Sequence, residues 1–398
     1  MKHDSFSRLP VLTLFALTLI FSACSKGSSS NGGNQTTGGN SDSAYLQVKG
    51  RNLTDASGNP VLLRGVNVDT YKEGWVDDID AVSAAVASTK ANVVRLAWWS
   101  HIAGSPEPQT GTTYYTADDL DRAITAFAGR GILSIVMLHD LTGKNDPGQF
   151  QQIITAFWTD PAVVAVVNKH QHHLVINLAN EWGANYNTNQ NNYSQTDISN
   201  FITTYTSAIS AIRTAGIKVP LMIDAYGYGD REEIFTSNSY GQGSSNGQYL
   251  LSQDPLHNLI FDLHTYYWEN DPNTNTPTVD PTSRLQGLAT SGLPFIIGEM
   301  GNILPDGSAG TGYADLLTKA NSQGIGYLAW AWYNDGTDDQ TGTAPYAMNM
   351  TINNAPQGDG VTLPTSPAQN AWGYNMLNGA GYGINTASPA TQKVGFPN

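Results

Sequence analysis

The chain has 398 residues, of which 40% are hydrophobic, 10% aromatic and only 13% charged. The 33 acidic and 19 basic residues give a formal net charge of −14. A charge of this sign repels phosphate backbones, so we expect no nucleic-acid partner. The single cysteine excludes an intramolecular disulfide and a cysteine-based zinc site. The apolar content is ample for a large core, and the low charge argues against a coiled coil or a disordered acidic protein.

The first 24 residues have the pattern of an export signal. Lys2 and Arg8 precede an apolar run at 9–21, which is too short for a comfortable transmembrane helix and has the length of a signal-peptide core. The run leads into Cys24, and the segment resembles a bacterial lipoprotein signal, in which the cysteine is acylated. An ordinary secretory signal is the alternative. Both interpretations predict export, either as an outer-membrane or cell-surface lipoprotein lipidated at Cys24 or as a secreted protein.

A flexible tether follows the signal segment. Residues 25–43 are mostly Ser, Gly, Asn and Thr, and such a stretch cannot bury apolar area. No later stretch of similar composition divides the chain, so we predict one catalytic domain over 44–398. We expect membrane contact only through the N-terminal lipid, and a monomer.

Short apolar runs alternate with helical patterns along the predicted domain. Runs at 45–48 and 61–63 flank the turn-forming residues 55–59, which predicts an N-terminal hairpin. Helices are predicted at 77–88, after a capping box of Thr116 and Asp119, near 149–157, and along the apolar stripe that begins at Ile198. The apolar runs predict eight strands, at 61–67, 92–98, 132–139, 174–180, 221–225, 259–266, 295–299 and 325–330.

Continuous apolar strands separated by helices are typical of a parallel sheet. Eight such units predict an α/β fold, a (β/α)8 TIM barrel with an N-terminal β-hairpin. A doubly wound open sheet is the alternative, but no Gly-rich phosphate loop follows the first strand. In a barrel, functional groups gather at the C-terminal ends of the strands.

Carboxylates and aromatic rings occupy those strand ends. Glu181 follows the fourth strand and Glu299 ends the seventh, which places them across the barrel mouth. Two carboxyl groups facing one cavity, one protonated and one ionised, are the minimum equipment for glycoside hydrolysis. Other strand ends supply charge, hydrogen bonds and flat faces for sugar rings. These candidate substrate-binding residues are Arg95, His139, Asn180, His264, Tyr266, Trp330 and Trp332. Trp330 and Trp332 share strand parity, so we expect both to point to one side.

These residues resemble the motifs of family 5 glycoside hydrolases, which are retaining (β/α)8 enzymes. The resemblance rests on Leu178-Ala179-Asn180-Glu181-Trp182, Ile297-Gly298-Glu299, His264-Thr265-Tyr266 and Arg95. It implies that Glu181 is the acid/base and Glu299 the nucleophile. It further implies that Asn180 binds the sugar 2-hydroxyl and that Arg95 and Tyr266 hold the nucleophile. It implies no metal and no organic cofactor.

Within the family, the chain is similar to bacterial endo-β-1,4-mannanases. His139-Asp140-Leu141-Thr142-Gly143 resembles their His-Asp-Ala-Thr-Gly, and Leu328-Ala329-Trp330-Ala331-Trp332 resembles their Leu-Ala-Trp-Ser-Trp. Tyr228, where those enzymes tend to carry Trp, and the long insert at 335–364 depart from the pattern. The resemblance implies endo-acting hydrolysis of a β-linked polysaccharide, mannan or glucomannan. An endo-β-1,4-glucanase and an inactive surface glycan-binding protein are the alternatives.

Overall fold

The computed structural model describes residues 45–70, 75–100, 115–183, 193–266, 268, 281–302, 312–333, 348–352, 358–389 and 394. The predicted signal segment with Cys24, the predicted tether at 25–43 and residues 335–347 of the predicted insert lie outside the described residues. Among the described helices, none is by itself long and apolar enough to cross a membrane; the bent pair Pro147–Trp158 and Pro161–Lys169 meets that criterion only when joined.

A two-stranded antiparallel sheet precedes the barrel, as predicted. Its strands are β1 (Gln47–Lys49) and β2 (Asn52–Thr54). A tight turn at 50–51 joins these strands, and Gly50 there adopts a φ of +60° that side-chain-bearing residues avoid. The predicted turn at 55–59 follows β2: the Asp55 carboxylate accepts the N–H groups of Ser57 and Asn59, and Thr54 pairs with Pro60 in an antiparallel bridge.

Eight parallel strands then close into a barrel, which confirms the predicted fold. The strands follow one another around the wall in chain order, and the last pairs with the first. They are β3 (Arg64–Asp69), β4 (Val93–Trp98), β5 (Leu133–Leu138), β6 (Leu174–Asn177), β7 (Leu221–Asp224), β8 (Leu259–His264), β9 (Phe295–Glu299) and β10 (Gly326–Ala329). Most are shorter than predicted, because the polar strand-end residues belong to the loops that follow.

Helices flank the barrel wall, and the described ones are α1 (Trp75–Ala87), α2 (Ala117–Ala128), α3 (Pro147–Gln149), α4 (Ala156–Trp158), α5 (Pro161–Lys169), α6 (Gln195–Thr214), α7 (Glu233–Thr236), α8 (Asn246–Gln253), α9 (Pro281–Thr290), α10 (Tyr313–Ser322) and α11 (Ala371–Asn378). Helix α2 begins at the predicted capping box, in which Thr116 and Asp119 each accept the other's backbone N–H. The helix expected near 149–157 is interrupted by a π-helical turn at Phe150–Thr155.

Alternation along the strands arranges the barrel interior in layers. The inward positions nearest the N-terminal ends are apolar and form one cluster, which includes Val93, Val175, Met222, Ile260, Ile296 and Leu328. Two residues further along each strand, the same face carries mainly polar groups. This second layer holds Arg95, Asn177, Asp224, Asp262 and Gly298, and the four side chains among them are buried. The chemistry of the barrel therefore begins one layer above an apolar floor.

Candidate active site

Arg95 is the centre of the polar layer. Its guanidinium is fully buried and donates to the side-chain oxygens of Asn177 at 2.9 Å and Asn67 at 3.1 Å. It also donates to Asn180 Oδ1 at 2.9 Å and forms an ion pair with Glu299. The neighbouring carboxylates raise the pKa of Arg95 despite its burial, so the group is a fixed positive charge.

Glu299 is held as an anion at the end of β9. Its Oε1 accepts from Arg95, and its Oε2 accepts the Tyr266 hydroxyl at 2.8 Å. Burial opposes ionisation of this carboxyl, but His264, Arg95 and the Tyr266 hydrogen bond outweigh it and lower the pKa of Glu299. A carboxylate that is ionised and fixed at both oxygens is suited to nucleophilic attack.

Glu181 lies in the loop after β6 in a conformation that non-glycine residues seldom adopt. Its φ is +47°, and its backbone N–H donates to Asp224 Oδ2 at 2.9 Å. Its Oε1 lies 2.7 Å from His264 Nδ1. Burial, together with the charges of Glu299 and Asp224, raises the pKa of Glu181 to about 7, although His264 opposes the shift. Glu181 is therefore the carboxyl that carries a proton near neutral pH.

His264 connects the two glutamates to the layer below. Nδ1 faces Glu181 at 2.7 Å and Glu299 Oε2 at 3.5 Å. Nε2 faces Asp224 Oδ2 and Asp262 Oδ2, each at 3.5 Å. Burial disfavours a charged ring, but Glu299, the nearby Asp262 carboxylate and the hydrogen bond to Glu181 outweigh it and raise the pKa of His264 well above its usual value.

The two glutamates have the spacing of a retaining glycosidase. One carboxylate oxygen of Glu181 and one of Glu299 lie within 4.8 Å of each other, with His264 between them. Retaining enzymes hold the two carboxyl groups about 5 Å apart, whereas inverting enzymes separate them by roughly 6.5–9.5 Å to admit a water molecule. The geometry and the opposite pKa shifts thus assign one acid and one anion to a single reaction centre.

Similarity to known proteins agrees with this geometry. The sequence profile described as cellulase (glycosyl hydrolase family 5) matches residues 54–336, which is most of the chain. The chain belongs to glycosyl hydrolase family 5.

A mannan endo-1,4-beta-mannosidase of Salipaludibacillus agaradhaerens is 27% identical over 300 residues, which covers 74% of this chain and 83% of that protein. The mannotriose complex of Thermomonospora fusca beta-mannanase superposes with a TM-score of 0.63 at 23% identity and covers 88% of this chain and 98% of that one. The catalytic domain of a Thermobifida fusca endoglucanase in complex with cellotetraose superposes less well. Its TM-score is 0.51 at 21% identity, and the match covers 73% of this chain and 86% of that one.

Asn180 links two elements of the family 5 site. Its Oδ1 accepts from Arg95, and its Nδ2 donates to Thr142 Oγ1 at 3.0 Å. Thr142 belongs to the His-Asp-Leu-Thr-Gly segment after β5, so the two family motifs are in direct contact.

The two tryptophans after β10 lie in different environments. Trp330 packs with Ala97, Met137 and the partly buried Tyr266, and its ring lies 6.4 Å from that of His139. Trp332 is fully buried in the large core cluster and donates its indole N–H to the carbonyl of Gly360 at 2.7 Å. The expectation that both rings point to one side is therefore wrong, and Trp332 lies in the core, because β10 ends at Ala329 and strand alternation does not extend through 332.

Four site residues were not among the sequence-based candidates, namely Asn67, Asn177, Asp224 and Asp262. Asn67 on β3 donates to the carbonyl of Gly298 at 2.8 Å, and Asn177 on β6 donates to Asp224 Oδ1 at 2.7 Å. Asp262 on β8 accepts the backbone N–H of Gly298. Each is a buried amide or acid that directly follows an apolar residue in its strand, and that is the signal that could have identified it.

Two groups of three described side chains are close enough to share an ion. They are Glu181, His264 and Glu299, and below them Asp224, Asp262 and His264. His264 belongs to both groups, and Arg95 already supplies a cation next to Glu299 and Asp224. Double displacement by two carboxyl groups needs no metal ion. That no metal takes part in the reaction of this chain stays a prediction.

Proposed function

We propose that this chain is a retaining endo-β-1,4-mannanase that works by double displacement. Glu299 attacks the anomeric carbon while Glu181 gives its proton to the departing glycosidic oxygen, which leaves a glycosyl ester on Glu299. Glu181, now ionised, takes a proton from water, whose oxygen attacks the anomeric carbon and releases Glu299. The observation that carries this mechanism is the pair of carboxylate oxygens within 4.8 Å.

The surrounding residues have separate roles in this proposal. Arg95 and Tyr266 fix both oxygens of Glu299, so the nucleophile is oriented before substrate arrives. Asn180 is the residue proposed to bind the 2-hydroxyl of the reacting sugar. Trp330 and His139, whose rings lie side by side, offer a flat face for a pyranose ring.

The mannan preference is supported by the relatives named mannan endo-1,4-beta-mannosidase and by the segments after β5 and β10. Mannose and glucose differ only in configuration at C2, so an endo-β-1,4-glucanase remains the second candidate. The superposition on an endoglucanase favours that candidate, but with a lower TM-score than the superpositions on β-mannanases.

Reducing-sugar release from β-mannan, glucomannan and soluble cellulose tests the proposal, with Glu299→Gln as control. We expect release from both mannan-containing polymers and none from cellulose. Activity on cellulose alone would favour the glucanase. Binding without release from any polymer would favour a glycan-binding protein. The configuration of the first-formed sugar, followed by proton NMR, should be β for a retaining enzyme.

We further propose that the chain is exported and anchored by acylation of Cys24, with 25–43 as a flexible tether to the catalytic domain. The order of basic residues, apolar run and lone cysteine supports this. Cys24→Ser should move the protein from the membrane fraction to the soluble exported fraction and abolish labelling by a radioactive fatty acid. An unchanged distribution would favour an ordinary secretory signal. We expect a monomer, which light scattering would test.

A further inference from the structure

Asp262 has an arrangement that the proposed double displacement does not use. Its side chain is fully buried on β8, two residues before His264 and on the same face of the strand. Its Oδ1 accepts the backbone N–H of Gly298, the residue before the nucleophile. Its Oδ2 has no hydrogen-bond partner among the residues that the structure describes, and it faces His264.

Asp262 Oδ2 and His264 Nε2 face each other. The two atoms are 3.5 Å apart, both are buried, and neither has a hydrogen-bond partner within the described part of the chain. A buried carboxylate oxygen is costly without a donor or a cation. The only other cation that the described residues bring near it is Arg95, whose Nη2 is 3.9 Å away.

Gly298 provides the space for this carboxylate. A Cβ atom at that position would lie 2.0 Å from Asp262 Oδ2 and 2.3 Å from Oδ1. The barrel interior thus accommodates an acid on β8 because β9 carries no side chain at the facing inward position. The pairing of Asp262 with Gly298 is a feature of the barrel interior and not of its rim.

Four carboxyl groups of the described residues lie within 4 Å of the ring nitrogens, and Arg95 pairs with three of these carboxylates. Glu181 and Glu299 face Nδ1, while Asp224 from β7 and Asp262 from β8 itself face Nε2. A neutral imidazole needs a donor for one of its nitrogens, whereas an imidazolium donates from both. Four surrounding carboxyl groups therefore favour the doubly protonated ring.

We propose that Asp262 is a positioning residue that keeps His264 doubly protonated and directed at Glu181, and so sets the pH at which the general acid loses its proton. This inference rests on the proposed double displacement. An imidazolium beside Glu181 favours its ionised form, so weakening that cation makes Glu181 hold its proton to higher pH. In this role Asp262 acts through His264 and does not touch the reacting atoms.

The test compares Asp262→Asn with the unaltered protein by two readouts. The first is the nitrogen NMR spectrum of labelled histidine rings, with His264 assigned from the signal that disappears in His264→Gln. We expect an imidazolium in the unaltered protein at pH 6–7, and in Asp262→Asn a titration midpoint lower by about one unit or more. The second readout is the pH profile of kcat/KM on soluble mannan, whose alkaline limb should move to higher pH.

Asp121→Asn is the matched control, because Asp121 also pairs with a histidine, His170, but lies on helix α2 away from the site. It should change neither the His264 signal nor the pH profile. Asp262→Ser, which removes the charge in a smaller side chain, replaces Asp262→Asn if that variant does not fold. A neutral His264 ring in the unaltered protein, or an unchanged His264 titration in both Asp262 variants, would overturn the inference.

The NMR readout separates this inference from the proposed function. If no glycan is hydrolysed but His264 titrates as expected, the double displacement fails and the role of Asp262 in charging His264 stands. If mannan is hydrolysed and the His264 titration does not move, only the inference about Asp262 fails. A uniform loss of kcat at every pH, without a displaced limb, would indicate a structural role and overturn the inference.

Discussion

Glu181 Oε1 and His264 Nδ1 lie 2.7 Å apart at the mouth of the barrel. Burial raises the pKa of the Glu181 carboxyl, and the surrounding carboxylates raise the pKa of the His264 ring. Because a hydrogen bond joins the two groups, their titrations are coupled. The consequence is that the acid limb and the alkaline limb of activity have different physical origins. Ionisation of Glu299, which His264 and Arg95 favour, governs the acid limb, and loss of the proton that burial retains on Glu181 governs the alkaline limb.

The pH dependence of kcat/KM should be bell-shaped. Activity requires Glu299 ionised and Glu181 protonated. The pKa of Glu299 is lowered, so the acid limb should fall below the usual carboxyl range, and the pKa of Glu181 is about 7, so activity should decline above about pH 7. Initial rates on a soluble mannan between pH 3 and 10 measure both limbs. Activity that still increases above pH 9 would contradict the assignment of Glu181.

Tyr266→Phe should move the acid limb to higher pH. The variant removes the hydroxyl that donates to Glu299 Oε2 at 2.8 Å, and this hydrogen bond lowers the pKa of Glu299. A hydrogen bond to a charged group is worth about 1.5–3 kcal/mol, so we expect a shift of roughly one pH unit. Tyr249→Phe, on helix α8, is the control and should leave the limb in place. An identical acid limb in Tyr266→Phe would exclude this hydrogen bond as a determinant.

Azide should distinguish the two glutamates by the product it forms. In Glu299→Ala, azide takes the place of the nucleophile and attacks a β-glycoside from the opposite face, which gives an α-glycosyl azide. In Glu181→Ala, azide attacks the ester on Glu299 and gives a β-glycosyl azide. Without azide both variants should lose several orders of magnitude in activity on polysaccharide. NMR of the products decides, and the reverse pattern of anomers would exchange the two roles.

Glu181→Gln should stabilise the fold increasingly as the pH rises. The folded-state pKa of about 7 exceeds the ordinary value of 4.5, so ionisation favours the unfolded chain above pH 4.5, and the cost is complete above pH 7. Glutamine keeps the shape without the charge. We expect the variant to exceed the unaltered protein by about 1 kcal/mol at pH 5 and about 3 kcal/mol at pH 8. Urea unfolding at both pH values measures this, and an equal difference at both would count against the assigned pKa.

Gly298→Ala should reduce both stability and activity. The added methyl group would overlap the Asp262 carboxylate, so strand β9 or Asp262 must move, at a cost of about 1–3 kcal/mol. Gly287→Ala, in helix α9 with nothing within 4 Å, is the matched control and should instead gain about 0.5–1 kcal/mol. Urea unfolding and kcat on mannan are the measurements. Equal stability and equal kcat in the two variants would show that neither property requires the space beside Asp262.

The barrel and its two glutamates were predictable because both depend on local signals. Apolar runs bounded by turn residues identify strands, and Glu181 and Glu299 stand where such runs end. The π-helical turn at Phe150–Thr155 and the additional tight turn at 50–51 were not predictable, because they depend on packing and on the conformation of Gly50. Strand alternation does not predict the position of Trp332, because β10 ends at Ala329.

The polar layer below the glutamates was within reach of the sequence but was missed. Asp262 is two residues before His264, so strand parity alone places it beneath the ring. The distance between Asp262 Oδ2 and His264 Nε2, and the space that Gly298 leaves for the carboxylate, depend on the register between β8 and β9. Hydrogen bonding between β8 and β9 sets that register, and the hydrophobic pattern of either strand alone does not predict it.

Arg95 ties together residues from distant parts of the chain. Its partners within 4 Å include Asn67 on β3, Asn177 on β6, Asp224 on β7 and Glu299 on β9. Because these contacts cross the barrel interior, the reaction centre cannot loosen at one strand while the others stay in place. Backbone amides at these strand ends should therefore exchange with solvent only when the whole barrel opens. Thermal inactivation and global unfolding should accordingly be a single event.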